Sequence, residues 1–192
     1  VLKTGAIALA IAIAGFFLGI LRWPYAMQAP IANSLDSYHA MSQFAIGIRQ
    51  IFEGHHVMSD ALPWYYTPKF MLMTIPLVVM LGWLLSLCFG WREKGMPRVE
   101  KVMMLFCFVF PVFWIVVTKA NVYGGWRHSL FAYPAMVVSA ACGFISLIQR
   151  FAKPLYRYIV IAIIALLMFL PLRHTIANHP YEYVYFNELS GG

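Results

Sequence analysis

Five stretches of the chain are almost wholly apolar: residues 5–21 (GAIALAIAIAGFFLGIL), 70–91, 102–118, 130–148 and 155–172. Each is close to the roughly 17–25 residues that carry a helix across the hydrocarbon core of a bilayer. The pattern predicts an all-α fold, a polytopic transmembrane helical bundle of about five spans forming a single membrane domain over 1–192. Between the first two runs, residues 22–69 alternate in character. Leu35, Tyr38, Met41, Ala45, Ile48 and Phe52 recur at helical spacing, while His39, Ser42, Gln43, Arg49 and Gln50 occupy other faces. This predicts an amphipathic helix over 35–53, capped by Asn33 or Ser34, favoured by Asp36 at its positive end and closed by Gly54. Too short to span, it is expected in the interface plane.

Pro76, Pro111 and Pro134 predict kinks, because neighbouring helices can satisfy the carbonyls that a proline frees. In the tail, 173–192, Tyr181, Tyr183 and Tyr185 alternate with Glu182, Val184 and Phe186, which predicts an extended segment packed on one side. A chain opening on Val1 reads as part of a longer protein. The alternative to a first span, a secretory leader ending near "PYAMQA", is the weaker reading for that reason.

Composition agrees with the pattern. Charged residues make up 11% of the chain, against roughly a quarter in ordinary soluble domains, so a soluble globular fold is excluded. The net charge of +7 does not indicate nucleic acid, because the basic residues flank apolar runs and form no continuous patch. Cys88, Cys107 and Cys142 fall within apolar runs without CxxC spacing and read as packing residues.

Basic residues instead set the expected sidedness. Lys3, Arg92, Lys94, Arg98, Lys101, Arg150, Lys153 and Arg157 crowd short loops, which places those loops inside. Arg22, Arg49, Lys69, Lys119, Arg127 and Arg173 are spread over longer segments on the other side. All 6 histidines, His39, His55, His56, His128, His174 and His179, then fall on the outer face with most of the acidic residues. Polar chemistry is expected there.

The strongest candidate is "YGGWRHSLFAYP", 123–134. A fourth span beginning around Trp126 to Ser129 would turn unpaired N–H groups and its positive dipole end outward, which favours an anion. Arg127 adds a permanent cation with bidentate geometry for phosphate, His128 adds a donor or titrating group, and Gly124 and Gly125 allow close approach. In "ALPWYYTPKF", 61–70, Trp64, Tyr65 and Tyr66 read either as an interfacial aromatic belt or as a stacking wall for a sugar or lipid-linked substrate. His55, His56 and Asp60 fit no strong metal-ligand spacing, so no metal is expected. Asp36, Glu53, Asp60, Glu182 and Glu188 form no local carboxylate pair. No phosphate-binding glycine loop, GxSxG or HExxH is present.

Three stretches in order, "FEGHHVMSDALPWYYTPKFMLMTIP" (52–76), "NVYGGWRHSLFAYP" (121–134) and "HPYEYVYFNELSGG" (179–192), resemble polytopic membrane glycosyltransferases of the C-type superfamily. The resemblance is to the bacterial branch of family 39, which is similar to protein O-mannosyltransferases. It implies an enzyme of the bacterial inner membrane that passes a sugar from a polyprenyl-phosphate donor to a protein, lipid or glycan acceptor at the periplasmic or exterior face. It implies substrate contacts from Asn121, Tyr123, Trp126, Arg127, His128, Trp64, Tyr65, Tyr66, His179 and Tyr181, with no cofactor. The family's catalytic acid lies in a first outer loop, expected upstream of Val1, so no catalytic residue is assigned within the chain. The missing carboxylate would act as general base, with Arg127 and His128 stabilising charge on the departing phosphate. The competing readings are a transporter or flippase for a lipid-linked substrate, or a non-catalytic membrane subunit.

Overall fold

The computed structural model describes residues 2–42, 46–90 and 97–191. The readings placed on Gln43, Ala45, Arg92 and Lys94 lie outside them. Regular structure is overwhelmingly helical, and the chain forms two compact units, residues 1–46 and 47–192, described in turn.

The first unit holds α1 (Leu2–Ile20), α2 (Pro24–Gln28) and α3 (Pro30–Ser42). α1 is apolar on every face after Lys3 and long enough to cross a membrane. Pro24 and Pro30 open α2 and α3, where a missing N–H costs no helical hydrogen bond. Asn33 Nδ2 donates to the Tyr25 carbonyl at 2.6 Å and ties α3 to α2.

The helix predicted over 35–53 is corrected at both ends. It begins at Pro30 and stops at Ser42, and from Arg49 the chain forms a hairpin. β1 (Arg49–Phe52) pairs antiparallel with β2 (His55–Met58), Gln50 opposite Val57 and Phe52 opposite His55. Glu53 and Gly54 both have positive φ, 54° and 79°, as a two-residue hairpin turn requires. Gly54 therefore closes a hairpin, not a helix. The two-residue period turns Gln50, Phe52 and Val57 inward and leaves Arg49, Ile51 and His56 exposed.

The rest of the second unit is helical: α4 (Tyr66–Thr74), α5 (Leu77–Phe89), α6 (Arg98–Thr118), α7 (Tyr133–Gln149) and α8 (Pro154–Ala177), with a 3₁₀ segment over Arg127–Ala132 leading into α7. Among the described residues of the whole chain, four helical segments are long and apolar enough to cross a membrane, or five if α4 and α5 count as one broken span. The run 70–91, predicted as one span, is bent by 111° between these two helices. Pro76 lacks an N–H, and the residue before it, Ile75, is forced into an extended conformation, so α4 cannot continue. Pro134, expected to kink a span, sits in the first turn of α7 and starts it, while Pro111 lies inside a continuous α6. α8 runs past its expected end at 172, through Pro171 to Ala177.

α5 and α7 pack most extensively and run in the same direction. Ile75 and Met136 share one apolar cluster with Phe108 and Ala132 at one end, and the Arg150 guanidinium covers the Phe89 ring at the other. Their contact is made by small residues. Gly82 and Gly143 face the opposing backbone so closely that a methyl group at 143 would stand 2.1 Å from the Gly82 carbonyl oxygen. Close approach through small residues is how helices gain van der Waals contact where lipid removes the hydrophobic drive to associate.

The tail closes the break between α4 and α5. Asn187, fully buried, donates from Nδ2 to the carbonyls of Leu72 and Ile75 at 2.6 and 2.9 Å, and from its backbone N–H to that of Met73 at 2.8 Å. Leu72 is the carbonyl that Pro76 leaves without its helical donor. Ser190 Oγ adds a second donor to Met73 at 3.1 Å. The extended strand expected from the tyrosine alternation is accordingly interrupted by 3₁₀ turns at Glu182–Val184 and Glu188–Ser190, because the tail follows α4's carbonyls and not a strand edge.

Candidate functional site

The loop between α6 and α7 is held from two distant elements. Gly124 and Gly125 have φ of 65° and 71°, a conformation that strains any residue with a Cβ. The Gly124 N–H donates to Gln50 Oε1 at 3.3 Å, and Gln50 Nε2 returns a bond to the Val122 carbonyl at 3.4 Å. The Gly125 N–H donates to the Tyr66 hydroxyl at 3.1 Å, and that hydroxyl donates to Gln50 Oε1 at 2.6 Å. One strand residue and one helix residue thus fix both glycines. Tyr66 is able to do so because Phe52 and Phe70 pack against its ring, each with centroids 4.9 Å away.

The next residue anchors the loop to α4. Trp126 Nε1 donates to Thr74 Oγ1 at 2.6 Å, and the Thr74 hydroxyl donates back to the Phe70 carbonyl. Ser129 is buried, with its N–H bonded to the Trp126 carbonyl at 2.9 Å.

Arg127 and His128 remain exposed at the tip. The Arg127 guanidinium lies over the Tyr123 ring at 4.3 Å, and the His128 imidazole meets the same ring edge-on at 4.7 Å. Tyr123 therefore fixes a cation and an imidazole on one support. The structure differs from the expected helix N-terminus in one respect. The amides of Gly124 and Gly125 are taken by Gln50 and Tyr66, and the first turn is 3₁₀, so they do not offer an open anion cradle.

The other sequence candidates divide into four groups. Trp64 and Tyr65 are exposed and meet edge-on at 5.8 Å, so they keep accessible faces. Tyr66 is 2% exposed, which corrects its assignment as an open stacking surface: it braces the loop. Asn121 is half-buried in the loop just before Val122. His179 pairs with Glu182 and Tyr181 packs on Tyr183 in the tail; among the described residues, no hydrogen bond or ring contact joins them to the Arg127 cluster. The Glu182 backbone N–H, and then His179, hold the Glu182 carboxyl below its ordinary value. Deeper in the tail, Tyr185 packs on His174 at 5.0 Å, and burial, then the charge of Glu188, pushes its hydroxyl up, so it stays protonated.

Two cavities lie along α4 and α6, and the second of them reaches the start of the loop. A groove of about 530 Å³ is apolar throughout and lined by Met71, Met80, Phe108, Val112 and Met136 among others. A second cavity of about 380 Å³ is part polar, with Asp60, Thr67, Lys119 and Val122 in its wall. Trp64 and Val116 line both. No group of three or more His, Cys, Asp or Glu side chains is placed to hold a metal among the described residues.

Gln50 and Lys119 were not visible as site residues in the sequence. The helical spacing over 35–53 puts Gln50 on a polar helix face, and Lys119 reads only as a topology charge. A usable signal for the first was the "EG" turn between two four-residue runs, which predicts a hairpin if given priority over helical spacing.

Replacing Tyr66 by phenylalanine removes the acceptor for a buried N–H while keeping the ring. A loss of about 1–3 kcal/mol is expected, read as a lower unfolding midpoint in detergent. An unchanged midpoint would show that the hydroxyl does not hold the loop.

Fold and site define a predominantly helical protein with several helices suited to crossing a membrane and its polar groups gathered on the connections between them. No family model matches the chain, and comparisons with curated proteins and with solved structures return no significant match.

Proposed function

We propose that the chain is part of a membrane glycosyltransferase that moves a sugar from a polyprenyl-phosphate donor to an acceptor hydroxyl at the outer face of a bacterial inner membrane. The observation that carries this reading is the pairing of exposed Arg127 and His128 on one tyrosine ring, on a loop fixed by two buried side chains. Holding a guanidinium in place before substrate arrives lowers the reorganisation needed as negative charge develops on a departing phosphate. Arg127 supplies the fork geometry suited to phosphate oxygens, and His128 supplies a hydrogen-bond donor or a proton. The general base is not assigned to a residue of this chain.

The outer placement of the Arg127 loop is supported by the basic residues that crowd the opposite loops, Arg98, Lys101, Arg150, Lys153 and Arg157. A transporter reading draws on the break between α4 and α5. It is less favoured because the carbonyls at that break already accept bonds from Asn187 and Ser190.

The test is sugar transfer from a synthetic prenyl-phosphate–mannose by the full-length protein in nanodiscs. Arg127→Ala should lower kcat/KM by about 10²–10³, the range seen when one charge-stabilising donor is removed. Arg127→Lys should recover a minor part, because the charge returns without the fork. Transfer that is indifferent to both changes would remove the reading.

A further inference from the structure

The turn from α7 to α8, residues 150–157 (RFAKPLYR), holds three cations and no acid. Arg150 follows the last residue of α7, Lys153 stands before Pro154 at the start of α8, and Arg157 lies one turn further on. All three are exposed, and none has an ion-pair partner among the described residues. The sequence offers little to neutralise them, since no acidic residue occurs between Glu100 and Glu182. Two of the three are held in place. The Arg150 guanidinium lies over the Phe89 ring at 4.0 Å, and Arg157 Nε donates to the Phe151 carbonyl at 2.7 Å. A ring and a carbonyl carry no net charge, so both guanidinium charges stay uncompensated. Phe151 and Tyr156 pair at 5.9 Å beside the cations, and aromatic side chains of this kind sit at headgroup depth. Leu155 and Ile159, one turn apart on α8, are exposed.

We infer that this turn is a binding site for one anionic phospholipid, with its phosphodiester among Arg150, Lys153 and Arg157 and its acyl chains along α8. The charges select this occupant. A zwitterionic lipid brings an ammonium of its own, which three uncompensated cations repel, whereas an anionic lipid brings only the phosphodiester. Guanidinium groups meet phosphate oxygens through two parallel hydrogen bonds, and the Lys153 ammonium adds a point charge. A basic cluster at the end of a membrane-crossing helix raises affinity for anionic lipid by about fivefold per cation. The exposed Leu155 and Ile159 give acyl chains an apolar surface beside the cations, which a water-soluble phosphate ester does not use. The turn lies at the opposite end of α7 from the Arg127 loop, so the inference is independent of the transferase reading.

Phosphatidylglycerol bearing a diazirine on its acyl chain near the head, photolysed with the full-length protein in phosphatidylcholine nanodiscs, tests the site. Adducts are expected within residues 151–160, saturating at one lipid per chain. Unlabelled phosphatidylglycerol should compete, and phosphatidylethanolamine and glycerol 3-phosphate should not. The Lys153 side chain makes no hydrogen bond or ion pair among the described residues, so Lys153→Gln removes charge without removing a contact. It should weaken labelling by about fivefold, and combining it with Arg150→Gln and Arg157→Gln by about a hundredfold. Arg173→Gln, toward the far end of α8, should leave labelling unchanged. A melting curve checks that the triple variant folds; if it does not, Lys153→Gln and the competition series decide. Adducts spread over other lipid-facing helices, equal competition by phosphatidylethanolamine, or labelling indifferent to Lys153→Gln would overturn the proposal. Competition by glycerol 3-phosphate would show a site for a soluble anion and overturn the lipid as its occupant.

Discussion

Replacing Gly143 by alanine should separate α7 from α5 and lower stability by about 3 kcal/mol, the upper end of ordinary overpacking costs. The added methyl would stand 2.1 Å from the Gly82 carbonyl oxygen and 2.5 Å from the Ser86 nitrogen. Both are backbone atoms of a helix, so no side-chain rotation relieves the clash, and the two helices must move apart along their contact. Gly82→Ala should cost less. Its nearest neighbour, at 2.5 Å, is the far edge of the Phe144 ring, which can swing away, although the Ala140 carbonyl oxygen at 2.8 Å still limits it. Gly15→Ala in α1 is the control: nothing lies within 4 Å, and alanine's helical preference should make the change neutral or stabilising by about 0.5–1 kcal/mol. Unfolding midpoints in detergent, ranked 143 lowest, 82 next and 15 at or above the parent, would check the series. Equal midpoints for 143 and 15 would mean that α5 and α7 are not packed this closely.

Asn187→Ala should be the second large loss. The side chain alone donates to the carbonyls of Leu72 and Ile75, and each buried acceptor left without a donor costs about 1–3 kcal/mol. Asn187→Asp should be worse than alanine, because a carboxylate oxygen would face carbonyl oxygens where an amide N–H now points. Ser190→Ala should cost less than either, since the Asn187 backbone N–H continues to serve Met73. The damage should also travel. Thr74, at the end of α4, accepts the Trp126 indole N–H, so a loosened α4 terminus releases one anchor of the Arg127 loop. Reduced transfer in Asn187→Ala, together with a lower midpoint, would follow. If the midpoint of Asn187→Asp matches the parent, the tail does not close the break.

Most of the helical layout was legible in advance because membrane-scale apolar runs are a local property. The runs 102–118, 130–148 and 155–172 contain the cores of α6, α7 and α8, and the ends shift by a few residues: α6 starts at Arg98, α7 follows a 3₁₀ turn, and α8 runs on through Pro171 to Ala177. The hairpin was misread for a related reason. Over 35–53 the helical spacing of apolar residues was real as far as Ser42, but after Gly47 the same residue types also satisfy a period of two. The choice was made by two positive φ angles at Glu53 and Gly54, and by the Phe52 ring packing against Tyr66 and Phe70.

The site was legible in part. Trp126, Arg127 and His128 stood out because an indole, a permanent cation and an imidazole follow two glycines in one short connection between apolar runs. That Tyr123 would carry both charged and titrating groups, and that Tyr66 would be buried and not displayed, could not be read from neighbours along the chain.

By itself the sequence determined the helical class, the places where apolar segments begin and end, and the crowding of polar groups onto the connections between them. Each of these depends on residues within a turn or two of one another. The tertiary structure decided which distant group satisfies each orphaned one: Asn187 for the carbonyl that Pro76 strands, Gln50 and Tyr66 for the glycine amides, Gly143 for the backbone of α5. A hydrogen bond or a close packing contact has a steep distance dependence and no sequence period, so its partner is known only once the chain has folded.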